Sequence, residues 1–123
     1  GELLSTAAAA RGVHAMVTDG LVRDIRLMND MGFNCFSRGY SPLDSAGRCL
    51  PTAFNVQIEC GGVRVEPGDL ILADVEGVVV IPQSMSAEVL RRSLEKLEGE
   101  NTVRRELAAG DSPRTVFDRY GIL

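Results

Sequence analysis

The stretch VHAMVTDGLVRDIRLMNDMGFNCFS, residues 13–37, decides the class of the fold. Its first part, Val13 to Thr18, is a short apolar run with β-branched members closed by Asp19-Gly20, which reads as a buried strand entering a turn. From Asp24 to Met31 the side chains Ile25, Leu27, Met28 and Met31 recur at helical offsets, and Gly32 stops the pattern. Phe33 to Ser37 returns to strand character. Working upstream, Leu3, Leu4, Ala7 and Ala8 give residues 2–11 one apolar face at helical period, ended by Gly12. Helix, strand, helix, strand in this order predicts an α/β fold with sheets flanked by helices.

Downstream, residues 38–51 hold Gly39, Pro42, Asp44, Ser45 and Gly47 with few apolar side chains, which predicts a long loop of functional character. Four short strands follow, at Phe54 to Glu59, Val63 to Val65, Leu70 to Ala73 and Gly77 to Ile81. They are separated by Gly61-Gly62, Pro67-Gly68-Asp69 and Glu76-Gly77, each a turn signal, so this segment should be mainly antiparallel. Past Pro82, Val89, Leu90, Ser93, Leu94 and Leu97 share one helical face while Arg91, Arg92, Glu95 and Lys96 take the other. A long C-terminal amphipathic helix running to Gly110 is expected. Ser112-Pro113 then opens a last short helix through Val116 and Phe117, with Ser112 as its cap.

With 123 residues the chain suits one domain, residues 1–123, built on a single core. Its net charge of −4 gives no general attraction to phosphate backbones or anionic lipid, so neither nucleic acid nor membrane is an expected partner. Cys35, Cys49 and Cys60 are an odd number at wide spacing, fitting neither paired disulfides nor a zinc site, and they read as reduced thiols of a cytoplasmic protein. The longest apolar runs, such as Gly77 to Pro82, fall far below the roughly 20 residues that a membrane helix needs. The chain opens without Met on an apolar helical pattern already under way, so an N-terminal piece is expected to be missing.

The segment richest in chemistry is Asp19 to Asp24, where a turn delivers Arg23 and Asp24 to a helix start. An Arg can grip a carboxylate with two parallel bonds and stabilise a developing oxyanion; an adjacent Asp can hold a hard divalent cation directly or through water. The same dipeptide also serves as a helix cap with a surface ion pair, and the dipeptide alone does not choose. His14, the only histidine, stands in an apolar run and reads as structural. Asp44 and Arg48 could line a site mouth, or be solvated loop charges. The charges of the long helix fit i,i+4 pairs such as Glu88 with Arg92 and Glu100 with Arg104, and Met28 and Met31 read as core filler.

Several pieces taken in order carry a resemblance. Gly1-Glu2-Leu3-Leu4 precedes Asp19-Gly20 and Arg23-Asp24, with twenty residues between Glu2 and Arg23. Then come residues 33–39, Ser41-Pro42-Leu43-Asp44-Ser45-Ala46-Gly47-Arg48, residues 60–69, residues 74–82 and the closing Tyr120-Gly121-Ile122-Leu123. Together they are similar to the family shared by the class II 4-hydroxy-4-methyl-2-oxoglutarate aldolases and the regulator of ribonuclease activity A, without that family's N-terminal segment. The resemblance implies a swivelling β/β/α domain that forms a homotrimer, or a hexamer of two trimers, with sites between subunits. It implies cleavage of 4-hydroxy-4-methyl-2-oxoglutarate or 4-carboxy-4-hydroxy-2-oxoadipate to pyruvate and a second keto acid, with oxaloacetate decarboxylation as a side activity. Both pass through a pyruvate enolate, whose charge a fixed Arg and a Mg2+ or Mn2+ ion can stabilise.

Carried over by motif, backbone amides of Gly1, Glu2, Leu3 and Leu4 would receive the pyruvate-like end of a small 2-keto acid. Arg23 would bind substrate, and Asp24 would hold the metal largely through its waters. Two features depart from the aldolase pattern: Leu27 stands where an acidic residue usually follows Arg-Asp, and Glu100 is the nearest match to an acidic residue lent by a neighbouring subunit. The alternative that the resemblance leaves open is a non-catalytic, protein-binding regulator of an RNA-degrading enzyme, on the same scaffold. A third reading is an inert fragment.

Overall fold

The computed structural model describes residues 1–122, so Leu123 of the closing stretch lies outside the described residues. The elements run α1 (Glu2–Ala9), β1 (Ala15–Val22), α2 (Ile25–Asp30), β2 (Asn34–Tyr40), β3 (Ile58–Cys60), β4 (Val63–Val65), β5 (Leu70–Ala73), β6 (Val78–Ile81), α3 (Ser86–Ala108) and α4 (Pro113–Tyr120). This is the mixed α/β architecture expected, with small sheets and a long helix near the C-terminus. The described chain divides into two compact units, Gly1–Val80 and the part from Ile81 onward.

In the first unit β1 and β2 pair in parallel, from Ala15 opposite Asn34 to Val22 opposite Tyr40. Parallel neighbours need a crossover, and α2 supplies it. The core lies under that crossover, where Val22, Met28 and Phe33 are buried. Chain direction reverses after α2 through the Phe33 N–H donating to the Met28 carbonyl at 3.0 Å, with Gly32 at positive φ. Of the two methionines read as core filler only Met28 is buried; Met31 is 38% exposed and its sulfur lies 3.8 Å from the Thr6 hydroxyl.

Two expectations are corrected here. Asp19-Gly20 is not a turn: both residues lie within β1, where the register slips between Thr18 and Leu21 and the Gly20 N–H turns to the Thr18 hydroxyl at 3.0 Å. The extra length is absorbed as a bulge, a use of Asp-Gly that resembles a turn in sequence. Phe54 to Glu59 is not one strand: β3 begins only at Ile58, because Asn55 adopts φ 56°, which no extended strand can contain.

β3 and β4 form an antiparallel hairpin, Ile58 opposite Val65 and Cys60 opposite Val63. Its two-residue loop is Gly61-Gly62, both at positive φ as such a tight connection demands. The Gly61 N–H also donates to the Asp19 carboxylate at 3.1 Å, tying the hairpin to β1. β5 and β6 pair across a turn in which the Asp74 carboxylate accepts from the Glu76 and Gly77 N–H groups at 2.8 and 3.2 Å.

In the second unit α3 and α4 bury Val103 and Val116 between them. Glu106 of α3 receives the Tyr120 hydroxyl at 2.6 Å and pairs with Arg119 at 2.7 Å. Gly99 leaves room for Ile122, whose Cδ1 would stand only 2.7 Å from an added Cβ. On α3 the Glu88–Arg92 pair forms at 2.6 Å, but Glu100–Arg104 does not: Glu100 faces Lys96 at 3.5 Å and Arg104 donates to the Asn101 side chain at 2.6 Å. Ser112 occupies the cap position of α4 with Pro113 behind it, yet makes no capping bond with its side chain.

Met28→Ala should lower stability by about 2–5 kcal/mol, because a buried side chain leaves a cavity at the crossover. Met31→Ala should cost well under half of that, and urea denaturation of both variants checks the ranking.

Candidate functional site

The resemblance pointed to two separate stretches, Gly1 to Leu4 and Arg23-Asp24, and the fold brings them together. Asp24 caps α2 with a left-handed backbone, φ 62° and ψ 31°. Only Asn55 shares a positive φ among the described non-glycine residues. Aspartate tolerates this region better than most side chains, but the conformation is still uncommon and turns the chain sharply from β1 into α2. The turn aims the carboxylate back at the start of α1, where Asp24 Oδ2 accepts the Glu2 N–H at 3.2 Å.

Gly1 sits directly against this pair. A Cβ there would meet Asp24 Oδ2 at 2.5 Å and Arg23 Nε at 3.1 Å, so any larger residue would push these two side chains from where they stand. Leu3 and Leu4 lie in the first turn of α1, where the Ser5 N–H returns to the Gly1 carbonyl at 3.2 Å. Their side chains are 78% and 76% exposed. The Glu2 carboxylate accepts the Thr6 hydroxyl at 2.9 Å.

Arg23 lies between two carboxylates. Its Nε is 3.6 Å from Asp24 Oδ2, and its Nη2 is 2.7 Å from Asp44 Oδ2. Asp44 reaches the site from the long loop after β2, where its other oxygen accepts the Ala46 N–H at 2.8 Å. That backbone bond, and then the charge of Arg23, hold the Asp44 carboxyl below its ordinary range. Arg48 folds back on the loop, donating to the Asp44 carbonyl at 3.3 Å. Of the two readings that the sequence left open for Asp44, a lining of the site or a solvated loop charge, the ion pair with Arg23 favours the first. The signal in the sequence was Asp44-Ser45-Ala46, a turn-forming triplet in a long loop, which marks a rigid carboxylate without saying what it faces.

The remaining candidates fall elsewhere. His14 is exposed just ahead of β1 rather than buried in a strand, and Leu27, on α2, is 46% exposed. Burial pushes the Cys35 thiol up, away from nucleophilic use. A hollow of about 1480 Å³ in the first unit is an open trough walled by Val17, Phe36, Ile58, Val63, Ile71 and Val78. None of Gly1 to Leu4, Arg23, Asp24 or Asp44 lines it, so volume and chemistry do not coincide.

Among the described residues no three His, Cys, Asp or Glu side chains converge as a metal cage. The donor set around Asp24 is one carboxylate carrying a single long hydrogen bond and 37% exposed. That suits a hard cation of the magnesium kind, which keeps most of its waters, and does not suit zinc.

A sequence profile of the family described as Aldolase/RraA matches residues 1–80. An uncharacterized protein of Methanocaldococcus jannaschii is 35% identical over 119 residues, covering 96% of this chain and 56% of that one. A protein of Halalkalibacterium halodurans bearing the name "Putative 4-hydroxy-4-methyl-2-oxoglutarate aldolase" is 36% identical, over 91% of this chain and 52% of its own length. The crystal structure of an uncharacterized protein from Pseudomonas syringae superposes with a TM-score of 0.93 at 29% identity, covering 98% of this chain and 56% of that one. The chain spans about half the length of the curated relatives it matches.

The Asp44 carboxylate is favoured in the folded chain, so the contacts it makes are complete above the ordinary aspartate value of about 3.9 and are lost only as pH falls through the lower folded value. A carbon-detected NMR titration of Asp44 should place its midpoint below 3.9. In Arg23→Gln the midpoint should rise only part of the way, because the larger contribution, from the Ala46 N–H, remains.

Proposed function

The chain belongs to the Aldolase/RraA family, and from that premise we propose that it is a divalent-metal-dependent lyase acting on small 2-keto acids. The observation that carries this reading is the convergence of the α1 start, Arg23 and Asp24: the Glu2 N–H reaches Asp24 Oδ2 at 3.2 Å, and Arg23 Nε stands 3.6 Å from the same oxygen. The substrates proposed are 4-hydroxy-4-methyl-2-oxoglutarate or 4-carboxy-4-hydroxy-2-oxoadipate, with oxaloacetate as a decarboxylation substrate.

In each case one carbon–carbon bond breaks and its electron pair stays on the pyruvate fragment as an enolate. Retro-aldol cleavage, with the 4-hydroxyl proton lost to water as its C–O bond becomes a carbonyl, releases a second keto acid; decarboxylation releases CO2; and a proton from water then converts the enolate to pyruvate. The Leu3 and Leu4 amides at the positive end of α1 receive the carboxylate of the keto acid. Arg23 binds the same end and offsets the charge that grows on the enolate oxygen, an interaction stronger in the transition state than in the ground state. A Mg2+ or Mn2+ ion held by Asp24, largely through water, would supply Lewis-acid stabilisation of that charge.

The site is half open in the single chain, with the Arg23 side chain 41% exposed. A neighbouring subunit that covered it would exclude water and strengthen each of these contacts. We therefore read the assembly as a homotrimer or a hexamer, with Glu100 as the acidic residue a neighbour could lend. A second reading is a protein-binding regulator, favoured by the exposed Leu70, Leu72 and Val79 on β5 and β6. No helix of the described chain is long and apolar enough to cross a membrane.

Coupled pyruvate release with and without Mg2+, on both hydroxy-keto acids and oxaloacetate, tests the lyase directly. Arg23→Ala should lower turnover by about a hundredfold or more with an unchanged circular dichroism spectrum; unchanged kinetics would remove Arg23 from the mechanism. Light scattering should give three chains per particle or a multiple, and a fully active monomer would overturn the assembly reading.

A further inference from the structure

Two carboxylates compete for the Arg23 guanidinium, and the geometry ranks them. Asp44 Oδ2 is 2.7 Å from Nη2, while Asp24 Oδ2 is 3.6 Å from Nε. Resting on the reading of Arg23 and Asp24 given above, we propose that Asp44 is a positioning residue: it holds Arg23 off Asp24 and so keeps the Asp24 carboxylate available to a divalent cation.

Arginine does not lose its proton in a protein, so it cannot be silenced by titration; only a better-placed anion moves it. Arg23 is the chain neighbour of Asp24, and without Asp44 the nearest anion to its guanidinium is Asp24 itself. Collapse onto Asp24 would spend the lone pairs and the charge that a hard cation needs. As it stands, Asp24 carries one long bond from the Glu2 N–H, which leaves most of its acceptor capacity open.

Asp44 is built to do this. One oxygen is fixed by the Ala46 N–H at 2.8 Å and its carbonyl by Arg48 Nη1 at 3.3 Å. The Ser45 carbonyl accepts the Arg48 and Cys49 N–H groups at 3.0 and 3.2 Å, closing the turn. The oxygen facing Arg23 therefore arrives already oriented, with little further side-chain freedom to lose.

The test is a double-mutant cycle on binding of Mn2+ alone to the whole chain, read as free Mn2+ by electron paramagnetic resonance, with no substrate and no turnover. Asp44→Asn should weaken Mn2+ affinity about tenfold, the scale seen when a group supporting a metal ligand is lost. In the Arg23→Gln background the same change should have almost no effect, since no guanidinium remains to collapse. Equal losses in both backgrounds would mean that Asp44 acts as a nearby charge or a loop scaffold, and the proposal falls; so it does if Asp44→Asn alone changes nothing. Wild type that takes up no Mn2+, or Asp24→Asn that takes it up equally well, overturns the metal reading of Asp24 and this proposal with it, and does so without any change at Asp44.

Discussion

The hydrogen bond from the Glu2 N–H to the Asp24 carboxylate joins two segments 22 residues apart, and the site depends on it. It stands only because Asp24 adopts a left-handed backbone, a conformation that costs of order 1–3 kcal/mol for an ordinary residue and less for an aspartate. The surroundings hold it there: Gly1 gives the space, the Met28 N–H returns to the Asp24 carbonyl at 3.0 Å, and buried Met28 anchors α2 against the sheet. One residue thus ends β1, starts α2 and faces α1. Placing Arg23 beside it puts a cation at the junction of three elements, where the long loop can supply a second anion.

What could be read from the sequence was whatever local chemistry decides. The crossover helix announced itself by apolar spacing from Ile25 to Met31, and the Gly61-Gly62 loop by its composition, because both are set within a few residues. The bulge at Asp19-Gly20 was misread because a turn and a bulge ask for the same residue types, and only the partner strand tells them apart. Asn55 ended the expected strand from Phe54 for a similar reason: a side chain that tolerates positive φ does not announce that it will use it. Motif order named Gly1, Arg23 and Asp24, which the fold places side by side, while Asp44 kept two readings, since an ion pair across 21 positions of sequence has no local signature.

Apolar surface tells a second story. In the hairpin of β5 and β6, Ile71, Ala73, Val78 and Val80 line the trough while Leu70, Leu72 and Val79 face away from it and stay exposed. Strands apolar on both faces are ordinarily covered on both. Leu90, Leu94 and Leu97 on α3, the stripe that the helical spacing predicted, are also about half exposed or more. The chain spans about half the length of the curated relatives it matches, and this apolar surface is the part of the fold that a single copy of these residues leaves uncovered.

The bond between the Gly61 N–H and Asp19 spans 42 residues and links the β3–β4 hairpin to the βαβ unit. Its sequence separation sets an order of events in folding. A hairpin closed by two glycines can zip within about 1–10 μs, and α2 and the turns around it are equally local. Closing the intervening loop carries an entropy cost that grows with the logarithm of its length and is repaid only when the docked pieces meet. The hairpin should therefore form early and dock late, and during that interval its unpaired strand edges are open to any other chain.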